Sequence, residues 1–427
     1  MGVGSAITND NINPGALDAA AATNLRFLLT DGKLRNIICE STAAAGTSVR
    51  QAQETSIMQR LLTRDNPHST TLTTADVTST DPQRQVRLRI ELLMRLYGGH
   101  PALSGLNLYD EPSRAMFGSV GFARQVLQGL AAEQLPYVNV WPSYASLSAL
   151  GTSTYEEYLQ LYLDEVRPPL LCFDHYPLLS GTDITSDYFY NWAVIRRFAL
   201  QAGIPSWAFI QSVDYRGNTR ERRRPNEAEI RWQINVGLAY GAKGIQYFTY
   251  WTPNVAPDAS IQFGESLVSR DGLLTPLYDY AKRANDYLKV VGKVLLPLTS
   301  ERVVHANETP LPRGARAFGA DGYVESVSGS PVILGRFRDP AGGTQRALLV
   351  ANRSFADAAE TRLTLSDSVI EVYELDDQTG TFARVAQKGS VLLRVAPGGA
   401  RLYLLRSSWN EDGREAPPDS LSPNAQG

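Results

Sequence analysis

Cysteine and histidine are scarce in this chain of 427 residues, which has only 2 cysteines and 4 histidines. Cys39 and Cys172 cannot build a disulfide scaffold, and the histidines show no metal-ligand spacing. Glycine-rich phosphate turns of the GxGxxG and GxxxxGKS/T types are also absent from the sequence. We therefore predict that the protein uses no metal and no cofactor.

A strong charge imbalance and long apolar runs are absent as well. The 41 Lys and Arg residues nearly balance the 44 Asp and Glu residues, so nothing draws the chain toward nucleic acid or an anionic membrane. No apolar run approaches the ~20 residues of a membrane helix. We predict neither a nucleic-acid nor a membrane partner and leave the oligomeric state open. Because residues 1–15 do not resemble a signal peptide, we expect a cytoplasmic protein, or a secreted one if the native start lies upstream.

Apolar β-like runs alternate with amphipathic helical patterns up to about residue 298. Near-continuous apolar runs are typical of strands that are buried on both faces of a parallel sheet, and they occur at 25–30, 36–39, 103–109, 137–141, 170–176, 206–212 and 244–251. Carboxylates and aromatic rings follow many of them, as at the active face of a barrel. We predict an α/β fold, a (β/α)8 TIM-like barrel over residues 1–298, with one strand unassigned.

The composition changes after residue 298. Short β runs separated by Gly, Pro, Asp and Asn predict a small all-β sandwich over residues 299–406. Residues 407–427 contain almost no large apolar side chain, and we expect a disordered tail there.

The run that ends in Asp110, Glu111 and Pro112 is the sharpest chemical signal. A glutamate at the mouth of a barrel, in an aromatic cleft, has a raised pKa and can donate a proton. The alternative is a structural one, in which Asp110 or Ser113 caps the helix that follows.

The sequence resembles the clan A glycoside hydrolases, the (β/α)8 enzymes that include β-galactosidase-like and cellulase-like families. The resemblance lies in four short segments, namely 110–112, 174–177, 240–251 and the pair 349–354 and 396–405 in the β domain. Residues 110–112 are similar to the clan's Asn-Glu-Pro motif, which implies that Glu111 is the general acid/base. The resemblance also implies that Trp251, at the end of the last barrel strand, forms the floor of the sugar site.

The sequence departs from the clan where the second catalytic glutamate is expected, because the matching position holds Gln211. An amide cannot form a glycosyl ester, so either the second carboxylate lies elsewhere or the barrel binds sugars without cleaving them. We predict Asp174 as the second carboxylate. Glu40, at the end of the run 36–39, is the next candidate. A structural role is the alternative for both.

Further side chains near strand ends are suited to binding sugar, because pyranose faces stack on aromatic rings and hydroxyls bond polar groups. The predicted substrate-binding residues are Glu40, Asn107, Tyr109, Asp110, Trp141, His175, Tyr176, Trp207, Gln211, Tyr250 and Trp251. Core packing is the alternative for the aromatic ones. The arginine-rich segment 220–224 is either a solvated loop or a subsite for an anionic sugar.

The expected function is therefore a glycosidase that cleaves a β-linked glycan, with Glu111 as acid and Asp174 as the second carboxylate. The alternatives are a non-catalytic carbohydrate-binding barrel and a transglycosylase. Sugar identity and stereochemical course stay open, since loops set specificity and the distance between the carboxylates sets the course.

Overall fold

The computed structural model describes residues 5–7, 14–23, 25–40, 79–179, 181, 183–217, 221–386 and 389–408. The predicted disordered tail lies almost wholly outside these residues. Within the described part of the chain, every helix is too short or too polar to cross a membrane.

The part of the chain before residue 299 alternates strands with helices. Its strands are β1 (Ser5–Ile7), β2 (Arg26–Thr30), β3 (Leu103–Asp110), β4 (Leu135–Val140), β5 (Leu171–Asp174), β6 (Ser206–Gln211), β7 (Tyr215–Gly217), β8 (Glu221–Arg222), β9 (Gly244–Phe248) and β10 (Ile261–Phe263). Its helices are α1 (Pro14–Ala22), α2 (Gly32–Glu40), α3 (Pro82–Tyr97), α4 (Phe117–Leu130), α5 (Leu147–Leu150), α6 (Tyr155–Val166), α7 (Tyr188–Ala202), α8 (Glu227–Ala239) and α9 (Pro276–Leu295).

Seven of these strands form one sheet in the order β1-β2-β3-β4-β5-β6-β9, so neighbours in the sheet follow the chain. A doubly wound sheet would reverse direction at a switch point, whereas a TIM-like barrel keeps the chain order. The predicted α/β fold class with a TIM-like strand arrangement is confirmed. The short strands β7, β8 and β10 form a separate three-stranded sheet in the order β10-β7-β8.

One predicted strand is wrong. Residues 36–39 belong to helix α2, which starts directly after Asp31. The Asp31 carboxylate accepts the Leu34 amide at 2.8 Å, and Leu34 and Ile38, one turn apart, are both buried. A short apolar run fits a buried strand and a buried helix face equally well, which explains the error. A strand that was not predicted, β1, pairs in parallel with β2, so that the described sheet again has seven strands.

The described chain divides into two compact units, one formed by the described residues up to Cys172 and one by those from Phe173 onward. The domain boundaries at 298 and 406 that we expect from composition stay predictions. In the first unit, β1 to β4 pair in parallel and α3 packs its Val86, Ile90 and Leu93 stripe inward. In the second unit, β6 pairs with β9 in parallel, and the capping box of Asn226 and Glu229 starts α8.

The second unit also contains the predicted sandwich. Its strands are β11 (Thr299–Ala306), β12 (Val324–Gly329), β13 (Val332–Arg338), β14 (Gln345–Asn352), β15 (Ala359–Leu365), β16 (Val369–Leu375), β17 (Phe382–Ala386), β18 (Ser390–Val395) and β19 (Ala400–Ser407). They form a six-stranded sheet, β11-β13-β14-β19-β16-β17, and a three-stranded sheet, β12-β15-β18. Side chains from both sheets share one buried core, among them Val332, Leu348 and Leu363, so the sandwich architecture is confirmed.

Helix α8 ties the sandwich to the barrel strands within this unit. The Trp232 indole donates to the Arg353 carbonyl at 3.0 Å, and the Asn235 amide donates to the Gly398 carbonyl at 2.9 Å. Gly335 lies so close to the last turn of α8 that a Cβ there would stand 2.4 Å from the Ala239 carbonyl oxygen. The backbone of β13 therefore packs directly on the helix.

Candidate active site

Glu111 follows the last residue of β3 with a backbone φ of 54°, in the left-handed region that non-glycine residues rarely adopt. Its amide donates to the Asn139 carbonyl on β4 at 2.8 Å, which anchors this conformation. The side chain is half-buried. The sequence-predicted proton donor thus stands at the carboxyl end of a parallel strand, where barrel enzymes place catalytic groups.

Asp110 lies beside Glu111 and accepts a hydrogen bond from the Asn139 amide group at 3.2 Å. The register between β3 and β4 shifts by one residue between Asn107 and Tyr109, after which Asp110 stands opposite Asn139. Such bulges re-aim side chains next to active sites. Although Asp110 is exposed, the surrounding protein removes much of the water around its carboxyl group, and this desolvation raises the pKa of Asp110. The hydrogen bond from Asn139 and the charge of Arg35 lower this pKa, but their effect is smaller.

Tyr158 of α6 is a positioning residue that the sequence did not reveal. Its hydroxyl donates to the Pro112 carbonyl at 2.8 Å and also hydrogen-bonds the main chain of Trp141, directly after β4. The Tyr158 ring is fully buried against Phe117, and burial raises the pKa of its phenol well above the usual value. The phenol therefore stays neutral, and it links the Glu111 turn to the end of the next strand.

Trp141, Asn107 and Tyr109 are the other predicted substrate-binding residues of this unit. Trp141 is half-buried, and its indole N–H is enclosed without a hydrogen-bond partner among the described residues. Asn107 is buried and donates to the Thr30 hydroxyl at 3.3 Å. The Arg35 guanidinium lies 5.5 Å from the centre of the Tyr109 ring. Burial and a hydrogen bond with Cys39 raise the pKa of the Tyr109 phenol.

Glu40 requires a correction, because it is the last residue of helix α2 and does not end a strand. The reason for predicting it as a second carboxylate or a sugar-binding group was its place at a strand end, so that reason no longer holds. Its side chain lies outside the described part of the structure.

In the second unit, Asp174 is the last residue of β5 and is buried, with an exposed fraction of 8%. Its neighbour His175 is also buried, and both ring nitrogens are engaged: Nδ1 lies 2.8 Å from Asn191 Oδ1 and Nε2 lies 2.6 Å from Thr185 Oγ1. These bonds tie His175 to Asn191 of α7 and to Thr185 just before it, and its contact with sugar stays a prediction.

Tyr176 belongs to a buried aromatic cluster. Its ring stacks on Phe248 with centroids 4.7 Å apart and meets the edge of Tyr215 at 6.2 Å. Its carbonyl accepts the buried Arg222 guanidinium at 2.5 Å. Burial and these ring contacts favour the core-packing alternative for Tyr176, and its contact with sugar stays a prediction.

Gln211 is fully buried at the end of β6, and both the oxygen and the nitrogen of its side-chain amide bond protein backbone. Its carbonyl oxygen accepts the Leu178 amide at 3.1 Å, and its NH2 group donates to the Arg223 carbonyl at 2.6 Å. A carboxylate here would leave the Arg223 carbonyl without a donor. The two described bonds of the Gln211 side chain suit an amide, and its contact with sugar stays a prediction.

Trp207 lies near a strand end, as expected, but it is the second residue of β6 and so lies at the amino end of the strand. Its indole ring covers Gly244, the first residue of β9, where a Cβ would meet the ring at 2.6 Å. Barrel active sites lie at the carboxyl ends of strands, so this packing favours the core-packing alternative for Trp207, whose contact with sugar stays a prediction.

Tyr250 and Trp251, in contrast, are presented to solvent. They follow β9, with exposed fractions of 56% and 50%. The Trp251 ring lies over the turn at Gly272, 3.8 Å from the place of a Cβ. Two exposed aromatic side chains after the last parallel strand provide the flat apolar surface that a pyranose ring needs.

The arginine-rich segment is anchored rather than solvated in the part that the structure describes. Arg222 is buried against the Tyr176 carbonyl, Arg223 pairs with Glu229 of the α8 capping box, and Arg224 lies 3.7 Å from Glu265.

Among the described residues, no group of three or more His, Cys, Asp or Glu side chains has the arrangement of a metal site.

No family model and no curated protein matches the chain. Among solved structures, it is similar to a β-galactosidase from Marinomonas ef1, with 12% identity over 70% of this chain and 58% of that one and a TM-score of 0.45. It is also similar to a glycoside hydrolase family 5 protein from Bacteroides vulgatus, with 10% identity over 94% and 76% and a TM-score of 0.48. A family 51 arabinofuranosidase from Xanthomonas axonopodis gives 10% identity over 92% and 78% and a TM-score of 0.41. The chain spans less than two thirds of the length of the β-galactosidase.

Proposed function

We propose that the protein is a glycoside hydrolase that cleaves a β-glycosidic bond in an oligo- or polysaccharide, with Glu111 as the proton donor. The observation that carries the proposal is the left-handed backbone of Glu111, with φ at 54°, at the carboxyl end of β3. Such a conformation costs ~1–3 kcal/mol for a non-glycine residue and persists only where its surroundings enforce it, which is typical of active sites. The Asn139 carbonyl and the buried Tyr158 hydroxyl are the groups that enforce it.

The chemistry of such a carboxyl group is general acid catalysis. The protonated Glu111 gives its proton to the glycosidic oxygen while the bond from that oxygen to the anomeric carbon breaks, and the sugar develops oxocarbenium character. A second carboxylate attacks the anomeric carbon or activates water. Asp174 stays the predicted second carboxylate, and the β configuration is part of the proposal, supported by the general resemblance to the β-galactosidase-like and cellulase-like families.

Side chains in each of the two units are of the kinds that a glycosidase needs. Tyr158 is neutral, so it supplies no charge that would compete with the acid, and Trp141 adds an aromatic surface after the next strand. The exposed rings of Tyr250 and Trp251 provide apolar surface of the kind that carbohydrate ligands use. A transglycosylase would use the same acid and differ only in its acceptor.

The test is hydrolysis by the wild type and by Glu111→Gln of two kinds of substrate, nitrophenyl glycosides and oligosaccharides with unactivated leaving groups. We expect Glu111→Gln to lose at least ~100-fold in kcat on the oligosaccharide and less on the nitrophenyl glycoside, whose leaving group needs little protonation. The matched control is Glu133→Gln, at an exposed position of the same unit. Equal rates for wild type and Glu111→Gln on oligosaccharides would remove the acid assignment, and saturable sugar binding without turnover would indicate a binding barrel instead.

A further inference from the structure

Asp214 lies in the loop directly after β6, three residues beyond Gln211. Its side chain is half-buried, and it forms no hydrogen bond or ion pair with any residue that the structure describes. A charged side chain in a partly enclosed position is normally paired, because partial burial removes water from the carboxylate. The solvent-facing side of Asp214 is therefore suited to an external hydrogen-bond donor.

Gly264 leaves the space that Asp214 occupies. A Cβ on this glycine would stand 2.2 and 2.3 Å from the two carboxylate oxygens of Asp214, and the Gly264 amide donates to the Asp214 carbonyl at 2.9 Å. The carboxylate thus lies on the bare backbone of the segment after β10. A glycine is needed here to make room for the carboxylate, since its φ is not in the left-handed region.

Polar bonds fix the Asp214 loop to the segment that carries Tyr250 and Trp251. The Ser212 amide donates to the Phe248 carbonyl at 2.8 Å, and the Ser212 hydroxyl donates to the Thr249 carbonyl at 3.2 Å. Ser266, two residues after Gly264, also donates its hydroxyl to the Thr249 carbonyl. One hydrogen-bonded group therefore holds the carboxylate loop, the glycine segment and the start of the aromatic segment in a fixed arrangement.

The basic side chains of the neighbouring segments have other partners. Arg222 bonds the Tyr176 and Glu221 carbonyls, Arg224 lies beside Glu265, and Arg270 donates to the Phe263 carbonyl at 2.8 Å. Asp214 is thus not one half of an ion pair in the described structure. Its two carboxylate oxygens are suited to a neutral ligand rich in hydroxyl groups, because they can accept hydrogen bonds from two neighbouring hydroxyls at once.

We propose that Asp214 is a substrate-positioning residue, which binds a pair of neighbouring sugar hydroxyls at the edge of the site that carries Tyr250 and Trp251. The inference rests on the proposed glycosidase function and adds to it one specificity-determining contact, made by the loop after β6. The contact favours sugars with two free adjacent hydroxyls over sugars in which one of these is deoxygenated or methylated.

The experiment combines binding and turnover on the full chain. Binding of cellotetraose, xylotetraose and β-1,4-galactotetraose is measured by titration calorimetry to the wild type, Asp214→Asn and Asp258→Asn, an exposed control in the same unit. Loss of one charge-assisted contact is expected to weaken binding by roughly 10- to 100-fold in Asp214→Asn and to leave Asp258→Asn unchanged. For the tetrasaccharide that is hydrolysed, KM is expected to rise by the same factor with kcat nearly unchanged.

Gly264→Ala provides a second variant that leaves Asp214 in the chain but places a methyl group where its carboxylate lies. We expect it to reproduce the weaker binding of Asp214→Asn, whereas Gly129→Ala, which meets nothing within 4 Å, serves as its control. Wild-type affinity in both Asp214→Asn and Gly264→Ala, or no binding of any tetrasaccharide by the wild type, would overturn the proposal. Failure of the glycosidase function alone looks different: the wild type then binds without turnover, and Asp214→Asn still loses binding.

Discussion

Tyr158 donates its hydroxyl to the Pro112 carbonyl across 2.8 Å, from a buried position on α6 to the turn that carries Glu111. The same hydroxyl bonds the main chain of Trp141, so one group holds the ends of β3 and β4 together. A catalytic carboxylate needs such support, because a displacement of ~1 Å can cost about 100-fold in rate.

Replacing Tyr158 by Phe removes this hydroxyl and keeps the ring. We expect kcat to fall about tenfold with KM nearly unchanged, since the acid loses its support while the sugar contacts stay, and the free energy of unfolding to fall by ~1–2 kcal/mol. Steady-state kinetics and chemical denaturation measure both. Tyr97→Phe is the control, because the Tyr97 hydroxyl bonds no residue in the described ranges. A kcat equal to that of the wild type would mean that Tyr158 only packs.

Asp110→Asn is expected to move the basic limb of the pH profile of kcat/KM to lower pH. The ionised Asp110 next to Glu111 favours the protonated form of the acid, so its neutral replacement lets Glu111 lose its proton at lower pH. Because burial raises the pKa of Asp110, ionisation at this position opposes folding. The stability that neutral Asp110 contributes is lost as the pH rises from the ordinary pKa of Asp through the raised pKa of Asp110. Above that pH range, Asp110→Asn should unfold at the same temperature as the wild type or at a higher one. An unchanged basic limb would show that the two carboxyl groups do not interact.

The strands were predictable from sequence wherever an apolar run was long and ended in polar residues. The runs that became β3, β4 and β6 were found within two residues of their observed ends. The run 36–39 was too short to distinguish a strand from a helix, and the bond from Leu34 to Asp31 that starts α2 depends on local geometry that periodicity does not contain.

The site was predictable only in part, because the role of a polar side chain depends on partners far away in the chain. Glu111 was predicted from its place after a strand and before a proline, and the structure bears out that place at the end of β3. The roles of His175 and Gln211 follow from bonds to Asn191 and Arg223, which no local pattern shows. Asp214 lacks a motif altogether, and only its place after β6 and its contact with Gly264 distinguish it.

His305 predicts a dependence of stability on pH. It is buried in the sandwich between Tyr240 Oη at 3.0 Å and Glu308 Oε2 at 2.7 Å, with Arg353 on the other oxygen of Glu308 and Phe189 against the ring. Burial lowers its pKa and outweighs the opposing effect of Glu308. Between the lowered pKa and the ordinary value of 6.5, the unfolded chain binds more protons than the folded one.

The stability that neutral His305 contributes is therefore complete above pH ~6.5 and is lost as the pH falls below that value. We expect the melting temperature to decrease from pH 7.5 to pH 5.5, and the decrease to be smaller in His305→Asn, which cannot be protonated. Differential scanning calorimetry at both pH values tests this. An equal decrease in the two proteins would assign the pH dependence to other groups.

Gln211→Glu is the substitution that the resemblance to clan A suggests as a way to restore a nucleophile, and the structure predicts that it fails. The new carboxylate would be fully buried, would still accept the Leu178 amide, and would face the Arg223 carbonyl without a proton to donate. We expect a loss of about 2–4 kcal/mol in unfolding free energy and no gain in kcat, because a buried acceptor opposite a carbonyl is repelled and the charge is not solvated. Gln83→Glu, at an exposed position in the first turn of α3, should change stability by no more than ~0.5 kcal/mol. A stable Gln211→Glu protein with a higher hydrolysis rate would place position 211 in the reaction after all.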